Sequence, residues 1–427
     1  MEFPFYYEDG ELYGESLAIS TLAEEFGTPL FVYSKRHISD TIATIKTTAK
    51  ESNGNWNISY AVKANSNSEI LKLIASEGLG ASVVSGGELV AALKAGFPAS
   101  KITFDGPGKT KEEILLALRS KIKAIVVESE QELELISREA AQLGVVAQVL
   151  IRVNPHIDAK THPYISTGLL ENKFGIDIVE AEALIDRFSS NSVSIIGLHT
   201  HIGSQISELL PFEETAASLA DVIKRNHSSG KKTLTHINVG GGRAIAYHDR
   251  VKHPKLASDP DPKEDLIPSY TEYFNKLTAI FQNTGVELTV EPGRSIIGES
   301  CLLLSKVLYT KANSKRSFVI GDAAMNDLLR PSLYRAYHQI VPVSINVARA
   351  LQTTSVVGPI CETGDFLAHD RMLPAFEPNE YFAVLCAGAY GYALSSNYNL
   401  RPRAAEVLID GDFATVIRKR ETIEEIL

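Results

Sequence analysis

The feature that most limits the possible folds is an alternation of short apolar runs and helical segments between residues 58 and 290. Each run is rich in β-branched residues and ends in polar or glycine residues, which is typical of a buried strand followed by a helix. The predicted strands lie at 58–62, 81–84, 101–104, 124–127, 148–153, 194–199, 236–239 and 287–290. Eight strands that alternate with helices over about 250 residues predict a TIM-like (β/α)8 barrel.

After residue 291 the pattern changes to strand-like runs with few helical segments between them. These runs lie at 302–309, 316–320, 340–347, 352–357, 381–385 and 406–417. We therefore predict an α/β protein in which the barrel is joined to a second, mostly antiparallel β domain. The opening runs at 5–7, 11–13 and 30–33 indicate that the chain start pairs with this domain. The expected organisation is an N-terminal segment at 1–34, a barrel at 35–291 and a C-terminal β domain at 292–427.

Composition excludes several classes of protein. The chain is 44% hydrophobic and 22% charged, which is the balance of a globular protein and not of a disordered one. Its net charge of −10 disfavours nucleic acid and membranes as partners. Cys301, Cys361 and Cys386 are too scattered for a disulfide framework. No run approaches the ~18–20 apolar residues of a membrane span, and the start has no signal-peptide pattern, so we expect a cytoplasmic protein.

Barrel enzymes carry their active sites where the strands end, so the residues that close each run are the candidates. The first run ends at Lys63. A lysine at the end of an apolar strand is expected to be partly desolvated, which exposes a neutral amine able to form a Schiff base with an aldehyde. Taken alone, a lysine that reaches out to solvent is the more common case.

The sixth run ends in His199-Thr200-His201. Two histidines at positions i and i+2 of a strand point the same way and could ligate a metal, but no carboxylate or cysteine companion is adjacent. An imidazole that stacks on a flat cofactor fits equally well. The simplest alternative is one buried, hydrogen-bonded histidine and one exposed histidine.

The last two barrel strands end in the glycine triplet 240–242 and in Glu291-Pro292-Gly293-Arg294. Consecutive glycines let backbone N–H groups surround a phosphate, although they also form plain tight turns. Glu291 could hold a ring nitrogen protonated and Arg294 could bind a carboxylate or phosphate, or the two could form a surface ion pair. A Schiff-base lysine, a stacking histidine, a phosphate cradle and a pyridinium partner are together the requirements of pyridoxal phosphate.

Particular segments extend this pattern along almost the whole chain. They lie at 60–65, 162–168, 172–175, 201–205, 291–295, 325–331, 361–365 and 388–391. In this order they resemble the barrel-type, alanine-racemase-like (fold type III) decarboxylases that use pyridoxal 5'-phosphate. The Asn-Asp-Leu-Leu-Arg-Pro and Cys-Glu-Thr-Gly-Asp segments are similar to the diaminopimelate branch of that family. The resemblance implies decarboxylation of meso-2,6-diaminopimelate to L-lysine and CO2, the last step of lysine biosynthesis.

The resemblance also implies site residues and a homodimer, with no metal. The catalytic residues it implies are Lys63, His201 and Cys361. The residues it implies for the cofactor are Lys63, His201, Ser204, Gly241, Gly242, Glu291, Gly293, Arg294 and Tyr390. The residues it implies for the substrate are Arg294, Arg330, Tyr334, Glu362 and Tyr390. By the same resemblance, Cys361 and Glu362 enter the site from the second subunit.

Some alternatives stay open at the level of the sequence. A decarboxylase of ornithine is disfavoured because a substrate with only an ammonium at its far end would leave a buried Arg330 unpaired. Carboxynorspermidine also carries a carboxylate and is harder to exclude. A regulatory homologue without catalysis is a third possibility. Either Cys361 or Lys63 could return the proton to the α-carbon, and Arg243, where the loop departs from the family pattern, could touch phosphate or face solvent.

Overall fold

The structure is a computed structural model that describes residues 2–158, 167, 173–230, 233–346 and 348–427. Of the segments that carry the resemblance, positions 162–166, 168 and 172 lie outside the described residues. The chain divides into two compact units. The barrel unit comprises Ile42–Ala244 and Leu266–Gly293, and the β unit comprises Met1–Thr41, Ile245–Asp265 and Arg294–Leu427. The boundaries expected at residues 34 and 291 concern domains that fold separately, and they stay a prediction.

The β unit begins with short strands and two helices. These elements are β1 (Phe5–Glu8), β2 (Glu11–Gly14), β3 (Leu17–Ala18), α1 (Ile19–Phe26), β4 (Leu30–Ser34) and α2 (Lys35–Glu51). Strands β1 to β3 form a small antiparallel sheet of their own. Strand β4 is entirely buried, as its apolar sequence Leu-Phe-Val-Tyr predicts, and helix α2 leads from the β unit into the barrel unit.

The barrel unit is built around a closed parallel sheet. Its strands are β5 (Trp56–Ala61), β6 (Gly80–Val83), β7 (Ile102–Phe104), β8 (Ala124–Val127), β9 (Ala147–Asn154), β10 (Ile176–Asp177), β11 (Val193–His199), β12 (His236–Asn238) and β13 (Glu287–Val290). Apart from β10, a two-residue pairing on β9, the strands pair in chain order and β13 returns to β5. The predicted (β/α)8 barrel is therefore confirmed, and each predicted strand lies within two residues of an observed one.

Helices fill the connections between the barrel strands. They are α3 (Ser68–Ser76), α4 (Gly86–Ala95), α5 (Lys111–Ser120), α6 (Glu130–Leu143), α7 (Ile178–Arg187), α8 (Leu210–Ser228) and α9 (Tyr270–Phe281). Most begin at a polar side chain that accepts a hydrogen bond from a free backbone N–H of the first turn. These capping residues are Asn67, Ser85, Thr110, Ser129, Asp177 and Ser269.

Apart from Ile245–Asp265, the rest of the β unit follows the barrel in the chain. Its elements are α10 (Arg294–Ile297), β14 (Cys301–Ala312), β15 (Ser317–Gly321), α11 (Arg330–Tyr334), β16 (Ile340–Pro342), β17 (Leu351–Val357), β18 (Phe366–Pro374), β19 (Tyr381–Val384), β20 (Ala405–Asp410), β21 (Phe413–Arg418) and α12 (Ile423–Ile426). The main sheet has the order β18-β17-β15-β14-β4-β20-β21, and off this path β19 pairs with β14 and β16 pairs with β19. Most neighbours are antiparallel, as predicted, but β15–β17 and β20–β4 are parallel pairs.

Two features of this sheet differ from the sequence analysis. Strand β18 was not expected, because its sequence Phe-Leu-Ala-His-Asp-Arg-Met-Leu-Pro interrupts the apolar pattern with exposed polar residues at the sheet edge. The single run expected at 406–417 is a hairpin, because Gly411 takes a left-handed φ of 64° and turns the chain between β20 and β21. Among the described residues, no helix is long and apolar enough to cross a membrane.

Candidate active site

Lys63 lies in a short 3-10 turn, Val62–Ala64, directly after β5. The turn is fixed by the Tyr60 hydroxyl, which donates to the carbonyl oxygen of Asn65 at 3.0 Å. The lysine side chain is exposed. The partial desolvation expected from the sequence is therefore not found, and Lys63 reaches out from the strand end with an accessible amine.

His201 follows β11 and is half-buried. The backbone N–H of Gly241 donates to its Nδ1 at 3.3 Å, so this nitrogen carries a lone pair. Burial, together with the positive charge of Lys63, holds the pKa of His201 well below its usual value. The side chain is thus a neutral, planar imidazole anchored to the glycine loop, which suits stacking on an aromatic ring.

The glycine loop leaves no room for side chains. A Cβ at Gly240 would lie 2.3 Å from the carbonyl oxygen of Thr200, and one at Gly241 would lie 2.2 Å from that of Glu291. Gly242 has a φ of 115° and would bring a Cβ within 2.4 Å of the Gly203 carbonyl oxygen. Backbone this close to neighbouring strand ends forms a cradle of the kind that holds a phosphate.

Arg243 does not extend this cradle. Its Nε donates to the carbonyl oxygen of Pro268 at 2.8 Å, and its guanidinium lies 4.1 Å from the centre of the Tyr270 ring. These two contacts hold the side chain, which is therefore neither free in solvent nor part of the glycine cradle. It ties the loop to the start of α9.

Glu291 lies just beyond β13 and is buried. Its Oε1 accepts from Asn238 Nδ2 at 2.7 Å, and its Oε2 lies 3.3 Å from His199 Nε2. Burial opposes ionisation, but these two contacts and the charge of Lys63 lower the pKa of Glu291 well below its usual value. An ionised, buried carboxylate of this kind can hold a pyridine nitrogen in its protonated form.

The fold supplies a second carboxylate that the sequence analysis missed. Asp105 follows β7, and its Oδ1 lies 3.9 Å from His199 Nε2. Asp105, His199 and Glu291 offer ligand atoms that all lie within 4.8 Å of one another, which is also a geometry able to hold a metal ion. The carboxylates that are not adjacent to His199 in the sequence thus reach it from other strands of the barrel. The strand-end rule that selected Glu291 also applies to Asp105 and would have found it.

In the β unit, two buried arginines form a second cluster. Arg294 Nη1 donates to the Tyr247 hydroxyl at 2.6 Å, and the Arg330 guanidinium lies 4.7 Å from the Tyr247 ring centre. Arg330 Nη1 lies 2.7 Å from His338 Nε2, and its Nε has no hydrogen-bond partner in the described part of the chain. Burial and the charge of Arg294 lower the pKa of Arg330 to about 10, which leaves it charged at neutral pH. Neither Tyr247 nor His338 was predicted from the sequence, because no local motif marks either residue.

Tyr334 and Tyr390 are both half-buried residues of the β unit. Tyr334 is the last residue of α11, the helix that begins with Arg330. Tyr390 has a left-handed φ of 57°, and its ring centre lies 5.0 Å from the Arg294 guanidinium. Of the predicted substrate residues in this unit, Tyr390 therefore contacts Arg294, and Tyr334 lies on the same short helix as Arg330.

Cys361 and Glu362 lie on an exposed turn of the β unit. The Cys361 N–H donates to Asn399 Oδ1 at 2.8 Å. The buried carboxylate of Asp365 accepts from the N–H groups of Ile360 at 2.9 Å and Met325 at 2.8 Å. These hydrogen bonds fix the backbone around the turn, while Cys361 and Glu362 are exposed.

Comparison with known proteins identifies the class that this fold and site define. Residues 38–298 match the family model of the pyridoxal-dependent decarboxylases, pyridoxal binding domain. The class is thus that of the pyridoxal-phosphate-dependent carboxy-lyases. A lysine/ornithine decarboxylase of Vibrio vulnificus, with putrescine bound, shares the fold with a TM-score of 0.76 at 20% identity.

Other relatives are similar over nearly their whole length. The diaminopimelate decarboxylases of Pseudomonas aeruginosa and Aquifex aeolicus are 44% and 42% identical to this chain, and each match covers 99% of it and 97% or 96% of the relative. The crystal structure of diaminopimelate decarboxylase from Helicobacter pylori, complexed with L-lysine, matches with a TM-score of 0.87 at 38% identity, over 96% of this chain and 98% of that one. The chain belongs to the family of diaminopimelate decarboxylases.

Proposed function

We propose that this protein removes the carboxylate of the D-configured centre of meso-2,6-diaminopimelate and releases L-lysine and CO2. The observation that carries the proposal is the full-length similarity to diaminopimelate decarboxylases, combined with Lys63, His201, Glu291 and a glycine cradle at the strand ends of one barrel. Pyridoxal phosphate, when bound, supplies a ring that accepts the electron pair left behind when CO2 departs.

The barrel residues divide the work of holding the cofactor. The Lys63 amine would bind the cofactor aldehyde, and the backbone of Gly241 and Gly242, together with Ser204 and Gly293, would hold the phosphate. His201 would stack on the ring with its neutral imidazole. Glu291 stays ionised and keeps the ring nitrogen protonated, which favours loss of CO2 because it stabilises negative charge at the α-carbon.

The arginine cluster suits the far end of the substrate. Arg330 carries a buried positive charge with an unused Nε–H, and a distal carboxylate would satisfy both. Arg294, Tyr334 and Tyr390 complete this set. Ornithine or lysine would leave the buried guanidinium without an anion, which costs about 1–3 kcal/mol or more for a charged group.

The remaining roles involve a second copy of the chain. The exposed turn of Cys361 and Glu362 suits contact with a site on another subunit, so we propose a cytoplasmic homodimer with shared active sites. There Glu362 binds the distal ammonium of the substrate. Cys361 delivers the proton to the α-carbon, with Lys63 as the alternative donor.

The first experiment measures lysine formed from meso-diaminopimelate by the cofactor-saturated protein. We expect lysine from the wild type, none from Lys63→Ala, and unchanged activity from Lys72→Ala, a control at another exposed lysine that pairs with Glu69 on α3. Ornithine and carboxynorspermidine are assayed in parallel. Turnover of carboxynorspermidine without turnover of diaminopimelate would refute the substrate while preserving the class.

The shared site is tested by mixing two inactive variants. Lys63→Ala and Cys361→Ala, each inactive alone, should regain about a quarter of wild-type activity after dissociation and random reassociation, because half of the dimers then hold one intact site. No recovery in a mixture shown to contain mixed dimers would contradict the shared site.

A further inference from the structure

The barrel site contains a buried group that the proposed mechanism does not yet use. We propose that Asp105 is a positioning residue: with Glu291 it holds His199 Nε2 between two carboxylates, and so directs the imidazole N–H at Glu291, the carboxylate that is proposed to face the ring nitrogen. This inference rests on the proposed function and assigns a role to a residue that no motif marked.

The geometry of His199 supports this role. Its Nε2 lies 3.3 Å from Glu291 Oε2 and 3.9 Å from Asp105 Oδ1, while its Nδ1 has no hydrogen-bond partner in the described part of the chain. The side chain is 2% exposed, so the ring is shielded from bulk solvent. The orientation of the imidazole therefore depends on the two carboxylates that face Nε2.

Asp105 is itself held in place. The Ser82 hydroxyl, on the neighbouring strand β6, donates a short hydrogen bond to its Oδ2. Its Oδ1 is buried and has no hydrogen-bond partner among the described residues, so this oxygen remains directed at His199. An unsatisfied carboxylate oxygen in a dry site is costly, and functional sites are where such a cost is commonly retained.

The surroundings shift the pKa values of the two carboxyl groups in opposite directions. Burial and the charge of Glu291 raise the pKa of Asp105, whereas His199, Ser82 and Arg152 oppose this rise. Of the other charged groups near the cluster, Glu88 on α4 interacts with Asp105, and Lys63 lowers the pKa of Glu291. The pKa of Asp105 is thus raised while that of Glu291 is lowered, so of the two carboxyl groups Glu291 is the one that favours its ionised form.

The test is Asp105→Asn, which keeps the shape of the side chain and removes its charge. In the holoenzyme we expect the pH midpoint of the cofactor's visible absorption to move about one unit to lower pH, because a negative charge that stabilises nearby cations is lost. We expect kcat to fall about 10-fold through loss of alignment, with KM changed less than about 2-fold. The matched control is Asp327→Asn, a buried aspartate of the β unit, which should leave the midpoint in place.

A second readout needs no cofactor. In the apoprotein, the imidazole 15N resonances of His199, assigned by their loss in His199→Gln, should move in Asp105→Asn and not in Asp327→Asn. If Asp105→Asn does not fold, Ser82→Ala carries the test, because it removes the hydrogen bond that stabilises the charged form of Asp105. A shift of the absorption midpoint by a few tenths of a unit in the same direction is expected for that variant.

The outcomes separate the two claims. An unchanged absorption midpoint and unchanged His199 resonances in Asp105→Asn would overturn the role of Asp105, even if the wild type forms lysine. If Asp105→Asn does not fold and Ser82→Ala replaces it, an unchanged absorption midpoint in Ser82→Ala would also overturn the role of Asp105. If the wild type forms no lysine but both signals shift, the proposed substrate fails and the positioning role stands.

Discussion

Each of the two units contains one buried cluster of like charges, and the two clusters have opposite signs. In the barrel unit, Asp105 and Glu291 bring two carboxylates to one imidazole. In the β unit, Arg294 and Arg330 bring two guanidiniums together around Tyr247. The hydrogen-bond partner of Arg330 is the neutral His338, whose pKa is held far below its usual value by burial and by the charge of Arg330.

The difference indicates what each cluster is for. Burying charge without a matching counter-ion costs stability, so neither cluster is explained by folding alone. Each retains atoms without partners in the described part of the chain, Asp105 Oδ1 in one and Arg330 Nε in the other. A negative cluster suits a ring nitrogen that must stay protonated, and a positive cluster suits a carboxylate. We therefore expect the first to govern chemistry and the second to govern recognition.

The largest effect should come from Glu291→Gln in the negative cluster. The amide is close in shape but carries no charge, so the ring nitrogen loses the partner that keeps it protonated. We expect kcat to fall about 10²–10³-fold, the range for loss of one preorganised electrostatic contact. Steady-state kinetics on cofactor-saturated protein measure this, and a kcat within 3-fold of wild type would remove Glu291 from the chemistry.

In the positive cluster, Arg330→Gln should act mainly on binding. Loss of a charged hydrogen bond worth about 1.5–3 kcal/mol corresponds to a rise of about 10–150-fold in the KM for diaminopimelate, with kcat changed by less than about 3-fold. Circular dichroism controls for folding. A fall in kcat at unchanged KM would contradict the division between the two clusters.

Asp327, a buried carboxylate of the β unit that faces neither cluster's proposed ligand, tests the cost of burial itself. Burial raises its pKa to about 7, opposed by a hydrogen bond from the Ala324 N–H at 3.0 Å. The folded state thus binds a proton that the unfolded state releases near pH 4, so this residue costs stability increasingly as pH rises from about 4 to 7.

Replacing it should therefore stabilise the protein at high pH. We expect Asp327→Asn to raise the free energy of unfolding by ~2 kcal/mol above pH 7, less than the roughly 4 kcal/mol of three pKa units because the amide nitrogen gains no partner. Near pH 4, where the wild-type carboxyl group costs little by titration, the penalty of the amide alone should remain and make the variant about 2 kcal/mol less stable than the wild type. Denaturant melts across this range measure it, and an equal change at both ends of the range would exclude titration as the cause.

The smallest effect is expected at Arg243. Because its guanidinium packs on Tyr270 and donates to Pro268, Arg243→Ala should change the affinity for pyridoxal phosphate by less than about 2-fold. The loss of that packing should cost about 1 kcal/mol of stability. Cofactor titration by absorbance and a thermal melt separate the two. A 10-fold weaker cofactor affinity would bring Arg243 into the phosphate cradle.

Much of this could be predicted from the sequence, for physical reasons. The barrel strands are mostly apolar runs ended by glycine or polar residues, so the length of each run and the residues that end it locate the strands within two residues. Lys63, His201 and Glu291 follow from the rule that strand ends meet at one face of a barrel. The exposed side chain of Lys63 did not follow, because desolvation depends on neighbours that the sequence does not reveal.

The contacts between distant residues could not be predicted. Nothing local indicates that Asp105 and Glu291, 186 positions apart in the chain, share one imidazole. Tyr247 lies in a segment that sequence alone assigned to the barrel, yet it groups with the β unit and contacts Arg294 there. His338 is a lone histidine whose role depends entirely on the arginine it meets.

The most direct test of the division between chemistry and recognition is the ratio of kcat/KM for meso-diaminopimelate to kcat/KM for D-lysine, measured in the wild type, Glu291→Gln and Arg330→Gln. D-lysine has the same D-configured reacting centre but lacks the distal carboxylate that Arg330 is proposed to bind. We predict that the ratio falls at least 10-fold in Arg330→Gln and stays within about 2-fold of wild type in Glu291→Gln, although overall activity falls. Equal ratios in all three proteins, or a fall confined to Glu291→Gln, would contradict the account.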